Sequence, residues 1–224
     1  MRVGLVVVSH SARLAEGVVE LAAQMAPDVT VLAAGGLPEG GIGTDYDSVV
    51  AAVQRADAGA GVVLLYDLGS AQMTAELAVE SLADPGAAVV VDAPLVEGAV
   101  AATVAAQGGA DRAAVAEAAA SAGAPPGTET AAQDAGAAQS TTLTLRNDVG
   151  LHARPAALLV RSIAGLDADV RIRLGEDEAD GHSVLALMSL AARKDDTIEI
   201  SATGSQAGEA IRRIEALAER DFDE

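Results

Sequence analysis

Two domains of mixed α and β structure are predicted: an α/β domain built on an open, mostly parallel sheet with flanking helices, then a smaller α+β open-faced sandwich. Three observations predict this. Continuous apolar runs alternate with helix-spaced segments over the first 120 or so residues. A stretch without any large apolar side chain follows, from about residue 123 to 140. Beyond it, strand-like segments with alternating polarity come between helical ones. Uninterrupted apolar strands are those buried on both faces of a parallel sheet, whereas alternation marks a sheet with one face in water.

The elements follow in order. VGLVVV (3–8) is a buried strand, and residues 12–26 place Leu14, Val18, Leu21, Ala22 and Met25 at helical spacing. VTVLAAG (29–35) is a strand, YDSVVAAVQRA (46–56) a helix, GVVLLYD (61–67) a strand and AQMTAELAVESLA (71–83) a helix. AAVVVDAPL (87–95) is a strand, and one Ala-rich helix starts from about Val96. Residues 123–140, rich in Ala, Gly, Pro, Thr and Gln, cannot add to a core and are predicted to be a flexible linker between domains 1–122 and 141–224. In the second domain TTLTLRN is a strand, ARPAALLVRSIAGL a helix, ADVRIRLG a strand, SVLALMSLA a short helix, DDTIEISAT a strand and SQAGEAIRRIEALAER a helix.

Composition excludes several function classes. Half of the 224 residues are hydrophobic, yet Tyr46, Tyr66 and Phe222 are the only aromatics, so no platform for stacking bases exists. The net charge is −19 and Lys194 is the one lysine, which argues against nucleic acid as a partner. Residues 1–140 carry 4 basic and 17 acidic groups, and 141–224 carry 10 and 16. No apolar run reaches the ~18 residues of a membrane span, and LVVV is interrupted at once by Ser9, His10 and Ser11. With no cysteine there are neither disulfides nor thiolate metal sites, which fits a cytosolic protein.

The chemistry centres on two of the three histidines. His10 and His152 both stand where a strand-like segment gives way to a helical one. A neutral imidazole is a good nitrogen nucleophile at neutral pH, and a helix N-terminus offers unpaired N–H donors that hold a phosphate without a metal. Two phosphorylatable histidines are therefore expected. In Gly150-Leu151-His152-Ala153-Arg154-Pro155-Ala156-Ala157, Pro155 suits the first turn of a helix, where its missing N–H has no task. The Ala153 amide lies beside it, and Arg154 brings a planar guanidinium within reach of the same phosphate.

Ligands of parallel sheets bind at the carboxyl ends of strands, where His10 and Asp67 both fall. Asp67, just before Gly69-Ser70, is placed to cap the next helix. Ser11, Gly69 and Ser70 are either donors to a phosphate or ordinary turn and capping residues. Gly35, Gly36, Gly41, Gly43, Thr44 and Asp45 border the same rim, in a loop that lacks both the lysine of a P-loop and the GxGxxG spacing of a dinucleotide site.

Through GLHARPA and the later HSVLALMSLA, residues 141–224 resemble the histidine-containing phosphocarrier HPr of the bacterial phosphotransferase system. The resemblance implies phosphorylation of His152 at Nδ1 by enzyme I, with Arg154 and the helix amides holding the phosphate. It also places Ser183 at the position of a regulatory serine in some members, although His182 stands where those members usually carry lysine. Ser183 as a plain helix N-cap is the alternative, and His182 is expected to be an exposed surface residue.

Residues 1 to about 122 resemble the DhaM phosphotransfer subunits of bacterial dihydroxyacetone kinases, whose fold is that of mannose-family IIA domains. The matching stretches are VVSHSARLAEG, AGG with GIGTD, YDLGSA and APLVEGAVAA. This resemblance implies phosphorylation of His10 at Nε2, with Asp67 fixing the tautomer, a partner-docking rim at Gly36, Thr44 and Asp45, and a homodimer through the IIA domain. Phosphoryl groups are then expected to pass from phosphoenolpyruvate through a separate enzyme I to His152, then His10, then ADP. The ADP and its magnesium would sit on a separate dihydroxyacetone kinase subunit, and no cofactor on this chain. The linker, at roughly 20–25 Å of mean span, allows transfer within one chain as well as between chains. Two rival readings are a IIA–HPr fusion serving a sugar permease, which would call for a IIB domain, and a regulatory protein whose phosphohistidines are switches without onward transfer.

Overall fold

The computed structural model describes residues 1–123 and 139–223, which form two compact units, Met1–Gly123 and Ala124–Glu224. Most of the expected linker, residues 124–138, lies outside the described residues.

The first unit holds a sheet of four parallel strands in the order β2-β1-β3-β4, with β1 Gly4–Ser9, β2 Val31–Gly35, β3 Val62–Tyr66 and β4 Ala88–Val91. Its helices are α1 Ala12–Met25, α2 Tyr46–Ala56, α3 Gly69–Glu80, α4 Leu95–Gly108 and α5 Arg112–Ser121. Successive strand side chains point to opposite faces, so the apolar runs feed two cores. Leu5, Val7, Val63 and Leu65 pack with α1, α4 and α5, while Val6, Val8, Val62 and Leu64 pack with α2 and α3. That two-sided burial is why these strands read as uninterrupted apolar runs.

Two sequence expectations need correcting here. The Ala-rich stretch is two helices: Gly109, in the left-handed region at φ +90°, closes α4, and the Asp111 carboxylate accepts the Ala114 amide at 2.9 Å to start α5. The inward stripe of α1 is Ala15, Val18, Ala22 and Met25, whereas Leu14 and Leu21 face outward.

The second unit is an antiparallel sheet in the order β5-β8-β6-β7, made of β5 Gln139–Thr144, β6 Asp169–Leu174, β7 Asp177–Asp180 and β8 Thr197–Thr203. Helices α6 Ala153–Ile163, α7 Val184–Ser189 and α8 Ala207–Glu219 accompany it. Val170, Ile172, Ile198, Ile200 and Ala202 are buried with Leu159, Ile163 and Ile214, and the intervening strand residues are polar. The strand β5 begins at Gln139, two residues inside the stretch 123–140 expected to be linker. The short β7 was missed because three of its four residues are acidic and Ala179 alone is buried. Among the described residues, no helix is long and apolar enough to cross a membrane.

The segment leading into α6 is held against the loop after α7. Leu151 donates its amide to the Ala192 carbonyl at 2.9 Å, and the Asn147 side-chain amide donates to the Gly150 carbonyl at 2.8 Å. Gly150 sits at φ +65°, and a Cβ there would lie 2.1 Å from the Ala192 oxygen. Gly165 has a similar φ of +75° in open space. Gly165→Ala is expected to cost only the left-handed backbone, about 1 kcal/mol, while Gly150→Ala adds a backbone clash and costs the second unit at least about 2 kcal/mol. Hydrogen exchange of the β8 amides measures both, and equal costs would contradict the clash.

Candidate functional site

The reversal of strand order places the first site. From β1 the chain crosses to β2 on one side and later returns to β3 on the other, so the switch point, where parallel sheets bind their ligands, falls at the carboxyl ends of β1 and β3. Pairing of Val8 with Tyr66 sets the next residues, Ser9-His10 and Asp67, beside one another. The Asp67 amide continues the ladder by donating to the Val8 carbonyl at 3.2 Å.

Every oxygen of the Asp67 carboxylate is engaged. Oδ1 lies 2.9 Å from His10 Nδ1, while Oδ2 accepts the His10 backbone N–H at 2.9 Å and the Ser9 hydroxyl at 2.8 Å. Burial pushes this carboxyl upward, but the hydrogen bonds from the His10 ring, the His10 amide and Ser9 outweigh it and hold Asp67 below the ordinary carboxylate range. An ionised carboxylate only accepts, so in the neutral imidazole Nδ1 carries the hydrogen and Nε2 keeps its lone pair. That lone pair meets Ser70 Oγ at 2.7 Å, which makes Ser70 the donor.

The alternative roles of these residues can now be separated. Asp67 does not cap α3: its N-cap is Leu68, without any side-chain cap bond. The first-turn amides of Gly69 and Ser70 therefore have no acceptor within the helix. Ser11 is the N-cap of α1, its oxygen accepting the Leu14 amide at 3.3 Å, so the capping role is met and its hydroxyl hydrogen is not used in it. Asp45 caps α2 by accepting the Ser48 amide and hydroxyl, which holds its carboxyl below the usual range.

The glycine-rich loop is tied to this site at three points. The Gly36 amide donates to the Ser9 carbonyl at 3.1 Å and the Gly43 amide to the His10 carbonyl at 2.9 Å. Thr44 Oγ1 lies 2.9 Å from Thr74 Oγ1, whose own hydrogen goes to the Ser70 carbonyl, so Thr44 donates. Ser9 and Thr74 were not picked out from the sequence. The signal for Ser9 was a polar residue closing an otherwise apolar strand; Thr74, mid-helix, gave none.

The second site is built differently. His152 is the N-cap of α6, with extended backbone at φ −79° and ψ −177°, but its side chain makes no cap bond and is exposed. The amides of Ala153 and Arg154 open the helix without intrahelical acceptors, and Pro155, buried in the first turn, has none to offer. Arg154 is exposed on the same turn. Among the described residues no carboxylate bonds the His152 ring, so nothing like Asp67 fixes its tautomer. Nearby, Lys194 pairs with Asp148 at 2.5 Å. Ser183 caps α7 through the Ala186 amide, and His182 is exposed beside Asp180 at 3.3 Å, as expected of a surface residue.

Because Asp67 titrates lower folded than unfolded, the stability it contributes is present above the unfolded value near ~3.9 and is lost as pH falls through the folded one. Asp67→Asn is thus expected to destabilise the first unit at neutral pH, with the gap closing below about pH 4. Urea unfolding across that range measures the gap, and a constant gap would contradict the assignment.

Two family models match the chain. One, described as the PTS system fructose IIA component, covers residues 4–116, and the other, the PTS HPr component phosphorylation site, covers 139–220. A "PEP-dependent dihydroxyacetone kinase, phosphoryl donor subunit DhaM" from Pantoea ananatis is 39% identical over 99% of this chain and 51% of its own length. A DhaM from Listeria innocua is 41% identical over 44% of this chain and 77% of its own. The phosphocarrier protein NPr of Escherichia coli is 43% identical over 37% of this chain and 93% of its own. The chain spans about half the length of the DhaM relatives it matches from end to end. It belongs to the DhaM family, with a PTS IIA component in its first unit and a PTS HPr component in its second.

Proposed function

We propose that the chain relays phosphoryl groups from phosphoenolpyruvate, by way of enzyme I, to His152, then to His10, and finally to ADP on a dihydroxyacetone kinase subunit. The observation that carries this reading is the oriented pair at the switch point: Asp67 accepts a hydrogen bond from His10 Nδ1 at 2.9 Å and leaves Nε2 as the nucleophile. The names of the DhaM relatives supply the kinase.

Enzyme I phosphorylates His152, where the exposed ring can enter another protein's active site. The amides of Ala153 and Arg154 and the Arg154 guanidinium then meet the phosphate oxygens. In the second step the bond from phosphorus to the His152 ring breaks as the bond to His10 Nε2 forms. If each ring keeps its other N–H, no proton moves between them. What moves is positive charge, from the phosphorylated His152 ring to the His10 ring, where the Asp67 carboxylate stands ready for it. The Ser70 hydroxyl swings from Nε2 to the phosphate, joined by the Gly69 and Ser70 amides and the Ser11 hydroxyl.

In the third step a nucleotide-bearing partner must reach Nε2. Ile42, Leu68, Met73 and Leu77 are each more than half exposed, on the loop and helix beside His10, and give a partner an apolar footing around the polar site. Gly36, Thr44 and Asp45 shape the same rim. ADP and its magnesium belong to that partner, and the reaction belongs in the cytoplasm. The first unit pairs as a homodimer on this reading, so transfer proceeds within a chain or between two.

Labelled phosphoenolpyruvate with enzyme I tests the order. The His152→Ala chain is expected to take up no label, and His10→Ala to be labelled at His152 but to form no dihydroxyacetone phosphate. Label on His10 of the His152→Ala chain, without free phosphocarrier, would overturn the order. Phospho-His10 that keeps its label when the kinase subunit and ADP are added would overturn the onward transfer. Arg154→Ala is expected to slow labelling of His152 on the order of tenfold, the loss of one charge-assisted bond, as measured by quenched flow.

A further inference from the structure

Three polar residues lie buried in the described cores, Ser9, Thr103 and Asn147. Thr103 spends its hydroxyl on carbonyls of its own helix, at Ala99 and Val100. Asn147 braces the turn before His152. Ser9 is the one that reaches into a chemical site. Fully buried at the last position of β1, it donates to Asp67 Oδ2 at 2.8 Å and accepts the Ser11 amide at 3.0 Å.

This contact controls where the carboxylate points. The terminal torsion of an aspartate is broad, with no strong preference of its own, so its aim is set by hydrogen bonds. Oδ2 is held by two donors from the end of β1, one from the His10 backbone and one from Ser9. With both in place Oδ1 is turned toward His10 Nδ1. Ser9 also receives the amide of Ser11, the residue that caps α1, so the carboxylate and the helix entrance share one buried hydroxyl. The hydrogen bonds of its hydroxyl go to Asp67 and the Ser11 amide, not to the His10 ring.

We propose that Ser9 is a positioning residue of the phosphotransfer site, acting through Asp67 to keep His10 in the tautomer with the hydrogen on Nδ1 and the lone pair on Nε2. The inference rests on the phosphotransfer reading for its consequence in rate, but the tautomer itself is observable without any transfer.

The test uses the full chain with 15N-labelled histidine, His10→Ala serving to assign the His10 signals. Above the titration of the ring, the starting protein is expected to show Nδ1–H and a bare Nε2, and Ser9→Ala a measurable population of the opposite tautomer. Transfer from phospho-His152 to His10 is expected to slow on the order of 10-fold, the weight of one hydrogen bond to a charged group. In an Asp67→Asn background the same Ser9→Ala change is expected to alter the rate by less than about twofold, because the group Ser9 acts through is already gone.

Ser9→Cys, close in shape and a weak donor, gives a smaller shift in the same direction and carries the test if Ser9→Ala does not fold. The starting tautomer and rate in the alanine or cysteine variant would overturn the proposal. So would an equal loss of rate in both backgrounds, the mark of a purely structural role. A fully active His10→Ala chain would instead overturn the phosphotransfer reading, leaving the tautomer result to stand on its own.

Discussion

The parallel pairing of β1 with β3 is the constraint on which the first site depends. It brings two residues separated by 57 positions, His10 and Asp67, to adjacent strand ends, and it does so by register, because Val8 opposite Tyr66 leaves no other place for them. The register is fixed in turn by burial on both faces. Shifting a strand by one residue would exchange the side chains given to the α1 side with those given to the α2 side, and both cores are close-packed. The apolar runs therefore do more than hold the unit together; they set a carboxylate 2.9 Å from an imidazole nitrogen.

The two histidines show two solutions to one chemical problem. Among the described residues His152 has a helix entrance and an arginine on the same turn, and its ring stands in solvent. On the proposed route such an arrangement suits a group that enters another protein's active site, since no hydrogen bond to its ring has to be displaced. His10, with its side chain one-fifth exposed, is held on both nitrogens, by Asp67 and by Ser70. With Nδ1 bound to the carboxylate, Nε2 is the nitrogen left with a lone pair. The difference is also electrostatic. In the first unit the partly buried carboxylate is kept charged by three donors, so a counter-charge for a cationic ring is already in place.

Much of this was legible in the sequence, and the reasons for the remainder are physical. Unbroken apolar runs such as VGLVVV announce a doubly covered strand, and GLHARPA carries its own helix start, so both histidines were found at strand-to-helix joints. Asp67 was recognisable as a strand-end carboxylate, but the sequence left open whether it capped α3; only the register and the N-cap at Leu68 decide that. The Ser9 contact could not be read, because a serine closing a strand has the same local pattern whether its hydroxyl meets a carboxylate or a backbone carbonyl. The short β7 was hidden by its charges, since an edge strand with one buried residue lacks the alternation that marks a half-buried one. The division of the Ala-rich stretch was written in Gly108-Gly109 and Asp111, yet alanine continues on both sides and masks the stop.

On the proposed route these differences give the relay a direction. A phosphoryl group on His152 leaves its ring cationic in water, where solvent rather than a fixed group answers the charge. On His10 the same cation lies against Asp67, and a charge-assisted hydrogen bond of this kind is worth about 1.5–3 kcal/mol. Transfer toward His10 then strengthens a bond that already exists, and each ~1.4 kcal/mol of that strengthening favours phospho-His10 tenfold. The pull has a natural bound, because a phosphate held too tightly would not leave for ADP. A side chain with partial exposure and a carboxylate already shared among three donors keeps the added stabilisation modest, which is what an intermediate station between two carriers requires.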